Sequence, residues 1–268
     1  MKQTALITGA TGGLGLAYTS ECAKRGYNLV LSATKQERLD VLKEKLAAEY
    51  PEIEIFTKAA DLTKKESRDE LFKFIDDNKI ELNILINNAG FLFEGSFCGT
   101  PREEVLSGVN VNVVGTTDIT YNFLARRNTE KQSYIIFVSS MAGFYPMPQM
   151  ATYAATKAYL TSLAQALREE LKGKNCYVTA VCPGSLATTD AMKASIKSQG
   201  FSGKLSLQDT KKVARVSLNK VHKNKAIYIP GGFNHFMHLG SVVINHRLLA
   251  KFIKKRWTKC EKKRGTYR

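Results

Sequence analysis

Gln3–Gly15 reads QTALITGATGGLG, and the order of residue types in it decides how the rest of the chain is read. The apolar run Gln3–Thr8 ends in a glycine cluster, which passes directly into a helical pattern. Strand, tight turn and helix in that order open a β-α-β unit. The glycines at 9, 12, 13 and 15 let the backbone turn sharply and approach a pyrophosphate closely. The helix start supplies N–H donors and the positive end of its dipole. Glycine by itself marks any tight turn; strand, turn and helix together point to a dinucleotide site.

Further along, the same alternation recurs. Strand-like runs occupy Gln3–Thr8, Asn28–Ala33, Glu54–Ala59, Asn83–Asn87, Tyr134–Ser139, Tyr177–Cys182 and Ala226–Ile229. They are rich in Val, Ile and Leu without polar alternation, as strands covered on both faces require. Longer helical patterns separate them, with expected capping boxes at Thr63–Glu66, Thr100–Glu103 and Ser206–Asp209. The fold class is therefore α/β, a doubly wound, mostly parallel seven-stranded sheet in one domain. That domain is expected over residues 1–235, with a basic amphipathic segment over 236–268.

The composition suits a soluble globular chain: 44% hydrophobic and 24% charged in 268 residues. No apolar run reaches the ~18 residues of a transmembrane span, and strand-like sequence from the start leaves no room for a leader. Five scattered cysteines (22, 98, 176, 182, 260) without a C-x-x-C pair argue for a reducing cytoplasm and against disulfides or zinc. The four histidines (222, 235, 238, 246) have no acidic or thiol partner nearby, so no metal site is expected. Of the net charge of +16, residues 247–268 carry +9 and the rest +7.

A second stretch carries chemistry: Ser139–Lys157, SSMAGFYPMPQMATYAATK. Tyr153 and Lys157 are four apart and share a helix face, the only Tyr-x-x-x-Lys spacing among eleven tyrosines. A phenol titrates near ~10 in water, and a neighbouring ammonium is expected to lower that value toward useful proton exchange. Ser140 is placed to hold a substrate oxygen beside the phenol.

Together, Thr8-Gly9-x-x-x-Gly13-Leu14-Gly15, Ser140, Tyr153 and Lys157 resemble the short-chain dehydrogenase/reductase family. More motifs follow in order: Asp61 in AADLT, Asn87-Asn88-Ala89-Gly90, Asn112 in NVVG, and Pro183-Gly184 followed by Thr188. The resemblance implies that Tyr153 exchanges a proton with the carbonyl oxygen, Ser140 polarises it, and Asn112 positions a proton-relaying water. It implies that Lys157 holds the nicotinamide ribose. It places Asp61 at the adenine, Asn88, Ala89 and Gly90 along the cofactor cleft, and Thr188 at the carboxamide.

At the end of the second strand, Ala33-Thr34-Lys35 offers no carboxylate to hold a ribose 2′-hydroxyl. Ser32, Thr34 and Lys35 suit a 2′-phosphate, so NADP(H) is the expected cofactor. Phe144, Tyr145, Met147 and Met150, with Met192 and Phe201 of the 185–205 loop, are expected to line a pocket for a bulky apolar substrate. The resemblance is closest to enzymes of hydroxysteroids, bile acids and 3-oxoacyl chains, and it implies a homodimer or tetramer. The alternative is a catalytically silent nucleotide-sensing regulator on the same fold; such proteins usually lack the tyrosine or lysine retained here. Nucleic acid is not an expected partner, because no aromatic-basic interleaving accompanies the basic tail. On a helical wheel over Ser241–Lys259, Val242, Val243, Leu248, Leu249, Phe252, Ile253 and Trp257 share one arc opposite Arg247, Lys251, Lys254 and Lys255. Two readings stand open: a helix packed on the domain or at a subunit interface with a solvated basic face, and a helix in peripheral contact with an anionic membrane with Trp257 in the headgroup layer.

Overall fold

The computed structural model describes residues 2–92 and 94–264, with side chains for all of these except 191 and 260–264. Seven strands form one sheet: β1 (Thr4–Thr8), β2 (Asn28–Ala33), β3 (Ile55–Ala59), β4 (Ile84–Asn87), β5 (Ser133–Val138), β6 (Cys176–Val181) and the short β7 (Ile227–Tyr228). Their order is β3-β2-β1-β4-β5-β6-β7, and every pairing is parallel. The order reverses direction between β1 and β4, which opens a crevice at the carboxyl ends of those strands.

Helices cover both faces, as the continuous apolar strands require. On one side Ile7, Leu31, Ile86 and Ile136 pack against α1 (Gly13–Lys24), α2 (Gln36–Glu49) and α9 (Thr210–His222). On the other, Leu6, Val30, Leu85 and Phe137 pack against α3 (Lys65–Asp77), α5 (Thr116–Arg126) and α6 (Ala151–Glu170). Successive residues of one strand thus enter opposite cores. The remaining helices are α4 (Arg102–Val109), α7 (Asp190–Ser198), α8 (Phe201–Ser206), α10 (Gly232–Val243) and α11 (His246–Arg264).

The capping boxes do not form as expected. α3 starts at Lys65, because Thr63 turns back and donates to Asp61 Oδ1 at 2.7 Å. α4 starts at Arg102, and Thr100 donates to the Ser96 carbonyl at 2.8 Å. In the third box the roles change: Asp209 itself caps α9, accepting from Lys212 N at 2.6 Å.

The boundary expected at residue 235 falls inside α10. That helix is tied to the sheet domain by buried Asn234, which donates to the Pro230 carbonyl at 2.8 Å and accepts from Ser206 Oγ at 2.9 Å. The single helix assumed for the wheel over Ser241–Lys259 is broken at Ile244–Asn245. There Asn245 Oδ1 accepts from Arg247 N at 2.9 Å and starts α11. Trp257 is 8% exposed and packs with Ile253 against Met147, Met150, Leu92 and Tyr153, so it is not available to a headgroup layer. Cys22, Cys98, Cys176 and Cys182 are unpaired thiols. Cys260, Lys262, Lys263 and Arg264 of the basic tail lie outside the described side chains, and Arg268 outside the described residues.

Candidate active site

The crevice beside β1 and β4 continues into a cleft of about 840 Å³. It runs from Ser32, Ala33 and Thr34 at the tip of β2, past Gly9–Gly15, to Ser140, Tyr153 and Lys157, and on to Pro183, Gly184 and Thr188. Asp61, Asn88, Ala89 and Gly90 line it between those ends. Lys35 is the exception among the expected cofactor residues: it is exposed at the start of α2 and not part of the cleft wall. Asn112 is also absent from the lining, being buried behind the wall.

The glycine turn is built by packing as much as by openness. Gly9 has φ +63°, and a Cβ there would stand 2.9 Å from Ala89 Cα. A Cβ on Gly13 would stand 2.6 Å from Thr188 Cβ, pressing the turn against the segment after β6. Only residues without side chains permit both contacts. Asn88 locks the arrangement, its Nδ2 donating to the Thr8 and Gly9 carbonyls at 3.0 Å. Thr8 Oγ1 accepts from the N–H groups of Asn88 and Ala89 at 3.1 Å.

α1 begins at this turn with no side-chain cap and no acidic residue in its first turn. Its leading N–H groups therefore face the cleft with the helix dipole behind them, the donor set a pyrophosphate needs. Shape and donors together fit a nicotinamide dinucleotide along this wall. At its middle, Asp61 Oδ1 accepts from Thr63 N and Oγ1. Burial by itself raises the carboxyl, but those hydrogen bonds and the Lys64 ammonium outweigh it and hold Asp61 below its ordinary value.

The chemical end is assembled on α6 and the turn before it. Ser140 starts a short 3₁₀ turn (Met141–Phe144), its Oγ accepting from Ala142 N at 3.1 Å. Ser139 donates to the Lys157 carbonyl at 2.7 Å, fixing β5 to α6. Lys157 is 4% exposed; its Nζ donates to the Val138 carbonyl at 2.8 Å and lies 5.6 Å from the Tyr153 ring centre.

The expected acidification of Tyr153 by Lys157 is not what the geometry yields. Burial pushes the Tyr153 phenol up, opposed by the hydrogen bond with Ser140. The same burial pulls the Lys157 ammonium down to about 8. In this enclosed corner desolvation is the largest influence on both groups.

Asn112 sits in a π-helical segment (Asn110–Gly115), a form that shifts a side chain relative to a regular helix. Its Oδ1 accepts from Phe91 N at 2.8 Å, and its Nδ2 donates to Phe91 O and Thr156 Oγ1 at 3.0 Å. The amide thus clamps the segment after β4 to α6.

Of the expected apolar lining, Met192 faces the cleft. Met147 and Met150 pack beside Tyr153 under α11. Phe144 stacks on His238 at 4.1 Å, and Phe201 is 77% exposed, outside any pocket wall at the cleft. Sequence reading missed Leu92, Val111 and Leu186 on the cleft wall. It also missed Glu94, which joins the segment after β4 to α7 by accepting from Ser195 Oγ at 2.7 Å. No periodicity marks these residues; they converge only because their segments follow strands at one sheet edge.

A profile of the short chain dehydrogenase family matches residues 3–200. The chain belongs to that family. Like other short-chain dehydrogenases it is an oxidoreductase of the kind that uses NAD(P) and acts on CH–OH groups. It is 31% identical over 186 residues to the uncharacterized oxidoreductase YvaG of Bacillus subtilis, covering 69% of each chain. It is 33% identical over 193 residues to a very-long-chain 3-oxoacyl-CoA reductase of Pyrenophora tritici-repentis, covering 70% of this chain and 55% of that protein.

Among solved structures, a 7β-hydroxysteroid dehydrogenase shares the fold at a TM-score of 0.84 and 22% identity, over 94% of this chain and 96% of that one. The bulky-bulky ketone specific alcohol dehydrogenase of Comamonas testosteroni gives 0.75 and 30%, over 90% and 91%. A Sphingobium yanoikuyae short-chain dehydrogenase in complex with NADPH gives 0.77 and 28%, over 90% and 93%.

Proposed function

We propose that this short-chain dehydrogenase is NADP(H)-dependent and interconverts a ketone and a secondary alcohol on a bulky hydrophobic substrate of the hydroxysteroid or 3-oxoacyl kind. The observation that carries the reading is that Ser140, Tyr153 and Lys157 share one wall of the cleft that begins at Thr34. The bound cofactor supplies or removes the hydride. Gly9, Gly13, Leu14, Gly15, Thr34, Asp61, Asn88, Ala89, Gly90, Pro183, Gly184 and Thr188 form the wall that holds it. In the reducing direction Tyr153 gives its hydroxyl proton to the carbonyl oxygen; in the oxidising direction it takes the alcohol proton. A phenol raised by burial stays protonated at neutral pH, ready to donate.

Ser140 is hydrogen-bonded to Tyr153 as well as accepting from Ala142 N, so its hydroxyl sits beside the phenol where it can turn to a substrate oxygen and polarise it. Lys157, held by the Val138 carbonyl, is placed to support the ribose side. Asn112 acts through position, keeping α6 and the segment after β4 at fixed separation around the proton path.

The NADP preference is supported by the lack of a carboxylate at Ala33 and Thr34 and by Lys35 and Arg38, exposed cations outside every ion pair among the described residues. The NADPH complex of the Sphingobium relative favours the same cofactor. A bulky apolar substrate is supported by Leu92, Leu186 and Met192 on the cleft wall and by the bulky-bulky ketone specificity of the Comamonas enzyme. A homo-oligomer is supported by exposed Leu106, Val114 and Tyr121 on and between α4 and α5. NADPH oxidation measured against steroid ketones, 3-oxoacyl thioesters and small aldehydes tests the reading. Turnover of small aldehydes alone, or a preference for NADH, would refute it.

A further inference from the structure

α10 and α11 each turn one side inward and leave the other bare. Inward go Asn234, Ser241, Leu249 and Trp257, all buried. Outward stand Phe236, Leu239, Val242, Val243, Leu248 and Phe252, each between 57% and 87% exposed. Single exposed apolar residues are ordinary on a protein surface, but six within residues 236–252 form a face that calls for a partner. Phe236, Leu239 and Val243 follow helical spacing on α10, and Leu248 and Phe252 stand one turn apart on α11.

Charge limits what that partner can be. Between Gly232 and Lys259 there are six Lys or Arg and no Asp or Glu. Arg247, Lys251, Lys254, Lys255 and Lys259 are exposed, and none enters an ion pair among the described residues. A second copy docking by the same face would bring the same cations against them, because a two-fold interface pairs a patch with itself. An anionic lipid surface satisfies both halves of the face at once. The apolar side chains enter the boundary of the acyl chains, and the lysine stems carry their ammonium groups up to the phosphates.

We propose that the bare sides of α10 and α11 dock this protein on an anionic lipid bilayer. Trp257 and Ile253 on the opposite side of α11 pack beside Met150 and Tyr153. The lipid-facing helix thus packs its other side beside Tyr153. The proposal stands apart from the oxidoreductase reading, since its test reads sedimentation and not turnover.

The full chain is sedimented with vesicles of phosphatidylcholine alone and of phosphatidylcholine with phosphatidylglycerol, at low and high salt. Removing the tail is unsuitable, because Trp257 leaves with it; point changes on the exposed side avoid this. Lys251→Gln with Lys255→Gln removes two charges worth about fivefold each in partitioning, roughly 25-fold together. Leu248→Ser with Phe252→Ser should lower it by more than about tenfold. Trp257 is the sole tryptophan, so unchanged emission from the variants verifies that α11 remains packed.

Binding to anionic vesicles that salt reverses and both variants weaken is the expected result. A protein that stays in the supernatant with anionic vesicles at low salt overturns the proposal. So does equal binding to neutral vesicles, or binding that neither variant changes. If the chain is instead an oligomer that Leu248→Ser with Phe252→Ser dissociates, without vesicle binding, the face is an interface between copies and the lipid assignment is wrong.

Discussion

Lys157 offers a test of the site that needs no substrate. Its ammonium is buried, donates to a single carbonyl, and among the described residues forms no ion pair. Burial lowers it from 10.5 to about 8. At ~1.4 kcal/mol per pKa unit, that difference corresponds to ~3 kcal/mol between protonation states. The folded value is the depressed one, so between pH 8 and 10.5 the unfolded chain binds more protons than the folded one. Stability then rises with pH across that window, and the gain is lost as pH falls through 8.

Lys157→Met removes the titration and keeps the side-chain length. It leaves the Val138 carbonyl without its donor, a penalty of about 1–3 kcal/mol that does not depend on pH. The quantity to measure is therefore the difference in unfolding free energy between wild type and variant. Urea unfolding at half-unit steps from pH 7 to 10.5 supplies it, and other groups titrating in that range cancel between the two proteins. Wild type should gain ~3 kcal/mol on the variant across the series. A difference that stays flat, or that shrinks as pH rises, refutes the argument that desolvation governs this corner.

Three further outcomes are expected. Tyr153→Phe should retain NADPH affinity while turnover drops by ~10²–10⁴, the usual worth of a positioned proton donor; fluorescence titration and steady-state rates separate the two effects. Ala33→Asp, at the cleft end of β2, should repel a 2′-phosphate and accept a 2′-hydroxyl, lowering the ratio of kcat/KM for NADPH over NADH sharply; an unchanged ratio would mean the phosphate is read elsewhere. Trp257→Ala should cost about 3 kcal/mol in urea unfolding and raise KM for large ketones, because it empties the packing beside Met150 and Tyr153; a loss below about 1 kcal/mol would mean α11 is not docked as described.

How much was legible beforehand follows from the range of each effect. The strand, glycine turn and helix of Gln3–Gly15, and the one-turn spacing of Tyr153 and Lys157, are short-range geometry. Any chain with those residues in that order has little freedom to do otherwise, and seven strands alternating with helical segments lead to the parallel sheet. The capping boxes were local too, yet a stronger local competitor took Thr63 and Thr100: hydrogen bonds to Asp61 and Ser96.

The protonation of Tyr153 and Lys157, the exposure of Phe201 and the burial of Trp257 could not be read from the sequence. Each depends on how much water is excluded by segments far apart in the chain. Desolvation at Lys157 is set jointly by the end of β5, the 3₁₀ turn, α6 and the segment after β4. A helical wheel likewise sorts residues onto faces but says nothing of which face meets the protein. In α11 the domain claimed Trp257, to which Met150 offers an apolar surface, and left Leu248 and Phe252 to the solvent.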